Sequence, residues 1–306
     1  MLAVGRNLFF PGHRHDMKLI RYRHQNRIRV GALIGQAIVD LTEVAGGAED
    51  AIRVIESWDS LKYAVARHVD AAPQIPLADV KILAPIARPG KVLAIGLNYA
   101  DHIAETGLAR PDRQLWFSKA NTSINGPYDP IDLPIASSLL DYEAELVAVI
   151  GRRAKHVSAA QARDYIFGFC AGNDVSVRDW QQHSSQWCVG KSFDTHAPIG
   201  PWIVTSDEIG DPHRLDVKCF VNDEVRQHSN TRHLVFNVFE QLEYLSRAMT
   251  LEPGDLIFTG TPGGVGAAMK PPTFLKAGDR TRVEIEGIGF IENAVVPERF
   301  DGETAN

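Results

Sequence analysis

Apolar residues along this chain fall mainly in short runs that end at glycine or proline, a pattern typical of β-strands. The runs that predict strands lie at 17–41, 91–95, 139–150, 165–171, 215–221, 225–227, 255–259 and 279–297. Asn222, Asp223 and Glu224 separate two of these runs and predict a hairpin turn. Because regular helices do not separate the strands, the pattern predicts a mixed α/β, mainly β fold and not a doubly wound sheet.

Helical patterns are fewer than strand patterns. Residues 48–69 have helical character, and apolar side chains recur at helical spacing over 232–248, where the stripe indicates core packing. A short helix is predicted over 98–106, with Asn98 able to cap it. The capping box at 158–161 predicts the start of another short helix.

Prolines divide the chain near its first quarter. Pro73, Pro76, Pro85 and Pro89 predict a linker between a small N-terminal α+β domain, residues 17–80, and a main domain, residues 81–306. Residues 1–16 lack the apolar core and the small-residue cleavage site of a signal peptide. We expect these sixteen residues to form a disordered extension.

Composition narrows the class of protein. The net charge of −6 argues against a nucleic-acid-binding surface, which needs a clustered basic face. No apolar run approaches the ~20 residues that span a bilayer, so we expect no membrane segment. The three cysteines are scattered and odd in number, which implies no disulfide framework and fits a reducing cytoplasm.

Two carboxylates in the run 139–150 provide the first chemical signal. Glu143 and Glu145 are two apart on a predicted strand, so they point the same way at a separation of roughly 6.6 Å. Buried side by side, they need a cation or hydrogen-bond donors, whereas a solvated polar face explains this run equally well. Asp174, where the next apolar run ends, is placed to join them. Three carboxylates without His or Cys at ligand spacing favour Mg²⁺, with Mn²⁺ or Ca²⁺ as alternatives.

Polar residues follow Asp174 at helical spacing. On a helix, positions 174, 178 and 181 fall within an arc of about 60°. That face would carry a carboxylate, the guanidinium of Arg178 and the amide of Gln181. An ordinary surface Asp–Arg pair is the alternative. Beside the glutamate pair, an anion clamp next to a metal is the better interpretation.

Three further segments carry candidate chemistry. His102 and Glu105 are neighbours on one helical face and could activate water, although Asp101 could compete for the ring and a surface pair is the alternative. Lys191 could hold a developing enolate or carboxylate, or could simply be solvated. The glycine-rich turn 259–266 offers backbone amides to an anion. It lacks the spacing of a P-loop or of a dinucleotide-binding motif.

Taken in order, these segments resemble the fumarylacetoacetate hydrolase family. The matching segments are G-L-N-Y-A-D-H at 96–102, L-D-Y-E-A-E-L at 140–146, N-D-V-S-V-R-D-W-Q at 173–181, G-K-S-F-D at 190–194 and T-G-T-P-G-G-V-G at 259–266. The resemblance covers about residues 80–298, and residues 17–80 look like the small N-terminal domain of longer family members. It implies a β-roll catalytic domain, usually in a homodimer.

The resemblance also implies a metal site and a catalytic pair. Glu143, Glu145 and Asp174 would hold Mg²⁺, with Mn²⁺ or Ca²⁺ as alternatives. His102 and Glu105 would form a water-activating dyad on a lid that orders over the substrate.

The same resemblance implies the substrate contacts. Arg178, Gln181 and Lys191 would bind the oxo and carboxylate oxygens of a small oxo acid, and Lys191 would also stabilise the enolate. Thr261 would donate a hydrogen bond to a substrate carboxylate.

The function implied is a Mg²⁺-dependent hydrolase that cleaves the C–C bond of a 2,4-dioxo acid, such as an acylpyruvate or a fumarylpyruvate-like acid. We expect it to act in aromatic or sugar-acid catabolism. An oxaloacetate-type decarboxylase or a hydroxymuconate-type (2-hydroxyhepta-2,4-diene-1,7-dioate) isomerase is the alternative within the family. Matches at every proposed functional position argue against a catalytically silent metal-binding protein.

Overall fold

The computed structural model describes residues 18–107 and 109–299, so the predicted extension over residues 1–16 lies outside the described residues. The strands are β1 (Lys18–His24), β2 (Arg27–Ile34), β3 (Ala37–Asp40), β4 (Gln74–Pro76), β5 (Lys81–Leu83), β6 (Val92–Gly96), β7 (Leu115–Lys119), β8 (Ile124–Asn125), β9 (Ile131–Leu133), β10 (Leu140–Asp141), β11 (Ala144–Ile150), β12 (Ile166–Asn173), β13 (Ser176–Val177), β14 (Ala197–Thr205), β15 (Asp216–Val221), β16 (Glu224–Asn230), β17 (Leu256–Phe258), β18 (Arg280–Ile285) and β19 (Gly289–Pro297). The helices are α1 (Ala51–Glu56), α2 (Trp58–Ala71), α3 (Ala100–Thr106), α4 (Arg178–Gln182) and α5 (Val238–Ala248). The predicted mixed α/β, mainly β fold is confirmed.

The strands of the described residues form two large sheets and a small ribbon. The larger sheet has the order β4-β3-β2-β1-β14-β12-β11-β17-β6-β7, with β5 and β8 pairing at its side. The second sheet has the order β16-β15-β18-β19-β9, and β10 pairs with β13 in the ribbon. Most pairings are antiparallel, so the predicted absence of βαβ repeats holds for this part of the chain.

Strand β11 lies at the centre of the packing because both of its faces are buried. Leu146 and Ala148 belong to the core between the two large sheets, whereas Val147 and Val149 belong to the core that also contains α1 and α2. Alternate residues of a strand point to opposite faces, so this one strand contributes to both cores. A rigid central strand then carries any side chain at its end into a fixed position.

The proline-rich segment is more ordered than a linker. Residues 74–83 contribute two strands, and β5 pairs with β1 through Arg21 and Leu83. Strand β1 in turn pairs with β14 at Leu19 and Ile203, so the N-terminal strands extend the large sheet. The prediction of a simple linker was wrong in this respect, and the division into domains at residue 80 stays a prediction.

Two predicted helices begin at different residues from those expected. Helix α3 begins at Ala100, and Asn98 does not cap it, because its side-chain oxygen accepts from the amide of Phe236 at 2.9 Å and its nitrogen donates to the carbonyl of Thr259 at 2.7 Å. The 232–248 pattern yields a helix only from Val238, where Asn237 forms a capping box with Glu240.

The capping box predicted at 158–161 opens no α-helix. The Ser158 hydroxyl donates to the side chain of Gln161 at 2.8 Å, and only a short 3₁₀ turn follows at Ala162–Tyr165. The predicted hairpin is confirmed: Asn222 and Asp223 have φ values of 51° and 68° between β15 and β16, as tight hairpin turns require. Within the described ranges, no helix is long and apolar enough to cross a bilayer.

Candidate active site

The three candidate metal ligands come together at the ends of β11 and β12. Glu143 lies in a two-residue break between β10 and β11, Glu145 is the second residue of β11, and Asp174 follows β12. The antiparallel register pairs Ala144 with Asn173, and the backbone amide of Asp174 donates to the carbonyl of Glu143 at 2.9 Å. One carboxylate oxygen from each acid lies within 4.8 Å of the others, and all three acids are buried.

The two glutamates of this carboxylate cluster differ in electrostatic environment. Burial, Asp174 and Glu143 raise the pKa of Glu145 well above its ordinary value. Burial also raises the pKa of Glu143. The positive charges of Lys191 and Arg178 outweigh this effect and lower the pKa of Glu143 to about 2. A buried set of oxygen donors that repel one another fits a hard divalent cation, which prefers such ligands. The residues present therefore fit the metal that the sequence predicts.

Two buried lysines neutralise part of this cluster. Lys191 Nζ donates to Glu143 Oε2 at 2.7 Å and to Asp174 Oδ2 at 2.8 Å. Lys119 Nζ donates to Asp174 Oδ1 at 2.7 Å and also to the carbonyl of Lys191. Lys119 was missed in the sequence, where its one signal is a lysine that closes the apolar run of β7. The predicted anion-holding residue Lys191 thus lies against the carboxylates themselves.

Replacing Lys119 by methionine is expected to lower the free energy of unfolding of the metal-free protein by about 3 kcal/mol, the lower end of the cost of breaking a buried ion pair, because Asp174 would lose one of its two buried lysine partners. Urea denaturation in the presence of a chelator measures this loss. The exposed Lys276→Met variant is the control and should change stability by less than about 0.5 kcal/mol. A loss below about 1 kcal/mol for Lys119→Met would contradict the prediction.

Arg178 and Gln181 face the cluster from helix α4. Arg178 donates from Nε to Asp141 at 2.8 Å and from Nη1 to Glu143 at 2.6 Å and to Gln181 at 2.9 Å. Its Nη2 is buried and has no partner among the residues that the structure describes, so one donor remains for a ligand. The predicted helix through Asp174 was wrong, because α4 begins only at Arg178 and Asp174 precedes strand β13.

The predicted dyad lies on helix α3. His102 Nδ1 is 3.5 Å from Glu105 Oε2, longer than a good hydrogen bond, and both oxygens of Glu105 accept from the amide of Gly264 at 3.0 and 2.9 Å. Asp101 does not compete for the ring: it accepts from the amide of His102 at 2.8 Å and from the hydroxyl of Ser229. The side chain of His102 is 11% exposed, as expected for a group at the edge of a cavity.

Amides of the glycine-rich turn bind carboxylates that belong to the protein. The amide of Gly260 donates to Glu145 at 2.7 Å, and those of Gly266 and Ala267 donate to Asp141 at 2.8 and 2.9 Å. The predicted anion-binding property therefore serves to fix one candidate metal ligand and the partner of Arg178.

Thr261 lies in the same turn beside Gln227, which was also missed in the sequence. The Thr261 hydroxyl donates to the carbonyl of Ala144 at 3.1 Å and accepts from Gln227 Nε2 at 2.8 Å. Because the hydroxyl hydrogen is already donated to Ala144, a ligand would meet only the oxygen as an acceptor. The predicted donation to a substrate carboxylate therefore requires a rotation of the Thr261 side chain. Gln227 ties the turn to the start of β11, since its Oε1 accepts from the amide of Ala144 at 2.9 Å.

Most of the candidate residues line one cavity of about 410 Å³, a volume typical of small-molecule sites. Its polar lining residues are His102, Glu105, Glu143, Arg178, Gln181, Gln182, Lys191 and Thr261. Trp187 and Phe117 form part of an apolar wall, with ring centroids 5.5 Å apart. Gly96 allows this packing, because a Cβ there would lie 2.4 Å from the Trp187 ring. Glu145 and Asp174 are not part of the lining but belong to the carboxylate cluster at Glu143.

Two family models match the chain. Residues 91–296 match the model described as fumarylacetoacetate (FAA) hydrolase C-terminal, and residues 17–85 match the Rv2993c-like, N-terminal model. The chain belongs to the fumarylacetoacetate hydrolase family. The resemblance drawn from the five sequence motifs is therefore confirmed, as is the longer form with an N-terminal domain.

Relatives within the fumarylacetoacetate hydrolase family are similar over almost the whole chain. A protein of Rattus norvegicus named oxaloacetate tautomerase Fahd2a, mitochondrial, is 43% identical over 92% of both chains. The solved fumarylacetoacetate hydrolase of Exiguobacterium antarcticum is 39% identical with a TM-score of 0.84, covering 92% of this chain and 100% of that chain. Maleylpyruvate hydrolase of Sphingobium sp. SYK-6, solved with manganese(II) and pyruvate, is 33% identical with a TM-score of 0.80 over the same shares. The predicted fumarylacetoacetate hydrolase fold is confirmed by these neighbours.

Proposed function

We propose that this member of the fumarylacetoacetate hydrolase family is a divalent-metal-dependent enzyme that interconverts the keto and enol forms of a 2-oxo acid, with oxaloacetate as the first candidate. The observation that carries the choice of reaction is the 43% identity to the rat oxaloacetate tautomerase over 92% of both chains. The cavity supports it, because cationic groups and a histidine line it beside the carboxylate cluster.

The carboxylate cluster defines where the metal would act. Glu143, Glu145 and Asp174 would hold Mg²⁺, the predicted ion, or Mn²⁺, the ion in the solved maleylpyruvate hydrolase. When bound, the cation would supply positive charge that stabilises negative charge on the oxo and carboxylate oxygens of the substrate.

The side chains of the cavity would bind the substrate and move its proton. Arg178 Nη2 is an unpartnered donor that can bind a substrate oxygen, and Lys191 adds positive charge beside it. Tautomerisation moves one proton from C3 to the 2-oxo oxygen while the C2–C3 bond gains double-bond character. His102 would accept the proton from C3 and return it to the oxygen, and Glu105, 3.5 Å from the ring nitrogen, would orient the ring.

Hydrolysis of a 2,4-dioxo acid, the function predicted from the sequence, is the second candidate. The observation that favours it is the His102–Glu105 pair at the cavity, which could take a proton from water as the water attacks the distal carbonyl. The C–C bond then breaks with its electrons on the 2-oxo acid fragment, which leaves as an enol. Decarboxylation of oxaloacetate and isomerisation of a hydroxymuconate-type acid use the same enol-stabilising groups without activated water.

Parallel assays with oxaloacetate and acetylpyruvate test the proposal. The protein is stripped with a chelator and reloaded with Mg²⁺ or Mn²⁺. The decay of oxaloacetate enol is followed by ultraviolet absorbance, and products are identified by mass spectrometry. Metal-dependent enol decay without CO₂ release would support the tautomerase. Pyruvate plus acetate from acetylpyruvate would favour the hydrolase, and pyruvate plus CO₂ from oxaloacetate would favour the decarboxylase.

Three further predictions concern the oligomeric state, the metabolic role and the cellular location of the protein. A homodimer is proposed from the resemblance, and light scattering on the purified protein measures it. A role in aromatic or sugar-acid catabolism follows from the hydrolase candidate. A cytoplasmic location remains proposed from the cysteine content, although the rat relative carries the word mitochondrial in its name.

A further inference from the structure

We propose that Asp101 is a positioning residue. It docks helix α3, which carries His102 and Glu105, on the glycine-rich turn and on strand β16, so that the pair faces the cavity. The inference rests on the role of His102 in the proposed function.

Donors from three separate segments converge on the Asp101 carboxylate. The amide of His102, on the same helix, donates to Oδ1 at 2.8 Å, and the amide of Gly263 in the glycine-rich turn donates to Oδ1 at 3.4 Å. The hydroxyl of Ser229, in β16, donates to Oδ2. Hydrogen bonds to a charged acceptor are stronger than those between neutral groups. One side chain therefore joins the helix to two elements of the rigid body.

Helix α3 needs such contacts because its own sequence stabilises it poorly. It spans seven residues, and no side chain caps its N-terminus. Isolated helices of this length are unstable in water. Asp101 and Glu105 are four apart, so their like charges destabilise the helix further unless donors satisfy them. The turn supplies those donors, since Gly264 binds Glu105 as Gly263 binds Asp101.

The glycine-rich turn, on which the helix docks, is itself held by close packing and hydrogen bonds. Gly264 has a φ of 101°, and a Cβ there would lie 2.0 Å from the carbonyl oxygen of Arg226, so the turn and β16 are in close contact. The hydroxyl of Tyr142 donates to the carbonyl of Gly264 at 3.0 Å. The same turn also holds Glu145 of the carboxylate cluster through Gly260. A helix docked on this turn is thus placed relative to the metal ligands.

The chain just before helix α3 is held by contacts that do not involve Asp101. Asn98 accepts from the amide of Phe236 at 2.9 Å, and Tyr99 bridges to Leu234. These contacts hold the chain just before the helix but leave its direction open. Asp101 and Glu105 dock the helix itself, and the Asp101 carboxylate does so in the first turn, where it also accepts from the amide of His102.

Hydrogen–deuterium exchange of the metal-loaded, substrate-free protein tests the docking. The variants are Asp101→Ala, Asp101→Asn and Ser229→Ala, with the exposed Asp207→Ala as the matched control. In Asp101→Ala we expect exchange of a peptide covering 100–107 to rise about tenfold, while exchange in β11 and β12 is unchanged. Asp101→Asn should retain most of the protection, because its amide oxygen still accepts from both backbone amides.

The separate effects on kcat and KM distinguish a positioning role of Asp101 from a purely structural one. For whichever of the two substrates is turned over, kcat of Asp101→Ala should fall about tenfold while KM changes by less than about threefold, since only the dyad is displaced. The Kd for Mn²⁺, measured by calorimetry, should match that of the wild type.

Unchanged exchange in helix α3 of Asp101→Ala would overturn the proposal. If that variant does not fold, Ser229→Ala decides in its place, because it removes the β16 donor: faster exchange over 100–107 supports docking and unchanged exchange refutes it. A wild-type protein that is inactive on both substrates would overturn the proposed function, while the exchange result would still decide the docking.

Discussion

Replacing Glu145 by glutamine is expected to weaken Mn²⁺ and Mg²⁺ binding by at least about 100-fold and to abolish metal-dependent turnover. The residue is buried and lies among Glu143 and Asp174, so it contributes an oxygen that no other described acid in the cluster replaces. Glutamine keeps the shape of the side chain and can still accept from the amide of Gly260. Loss of one of three repelling charges should leave the metal-free fold intact.

Calorimetric titration and thermal unfolding measure this effect. Wild-type protein should be stabilised by about 2.7 kcal/mol at a metal concentration of 100 times Kd, because the ion binds the folded state. Glu145→Gln should show no such stabilisation, whereas the exposed Glu56→Gln variant should behave as wild type. A full metal-induced rise in Tm for Glu145→Gln would place the bound cation elsewhere in the protein.

The carboxylate cluster shows what a sequence can reveal about a site. Glu143 and Glu145 could be predicted to share a location because strand periodicity is local. The break in the strand at residues 142 and 143 could not be predicted, because β10 leaves the path of β11 to pair with β13. The same pairing turns the chain after Asp174, which is why the helix predicted through that residue starts four residues later.

Lys119 and Gln227 are residues of the site that could not be predicted from the sequence. Lys119 meets the cluster because β7 pairs with β6 at the edge of the large sheet, and its contact to Lys191 spans 72 residues. Gln227 reaches Thr261 and the start of β11 from the second sheet. The apolar run that ends at Lys119 does not reveal its partners and no local pattern marks Gln227, since each residue is placed by long-range strand pairing.

Local capping rules failed where a tertiary partner was available. Asn98 was a reasonable helix cap by residue type, yet its side-chain oxygen accepts from the amide of Phe236 and its nitrogen donates to the carbonyl of Thr259. Asn237 caps α5 because its surroundings leave its side chain free to accept from two amides of the first turn. Buried polar groups must be satisfied, so burial decides which asparagine caps a helix and which joins two segments.

The glycine-rich turn connects these observations. Its amides bind Glu145 of the cluster, Glu105 of the dyad and Asp141, the partner of Arg178. One turn therefore holds Glu145, Glu105 and, through Asp141, Arg178 in fixed positions relative to one another. When the groups of an active site are held in fixed relative positions, little entropy is lost on reaching a reactive geometry.

Replacing His102 by alanine is expected to reduce both oxaloacetate tautomerisation and acylpyruvate hydrolysis by about 10²–10⁴-fold, the usual contribution of a general acid–base group. Both reactions need a proton acceptor at the cavity, and His102 occupies its edge beside Glu105. Metal affinity should not change, because the ring is not part of the carboxylate cluster. Enol decay, product analysis and Mn²⁺ calorimetry on one preparation measure the three quantities, and the exposed His228→Ala variant is the control.

The pattern of losses in His102→Ala separates the candidate reactions. Decarboxylation requires no proton acceptor in its bond-breaking step, so a decarboxylase should keep most of its activity in this variant. Loss of hydrolysis with intact tautomerisation would confine His102 to water activation and assign the proton transfer to another group, for which Lys191, a cavity residue in contact with Glu143 and Asp174, is the candidate. Full activity in both assays would remove the His102–Glu105 pair from the mechanism and leave the carboxylate cluster, Arg178 and Lys191 as the catalytic residues.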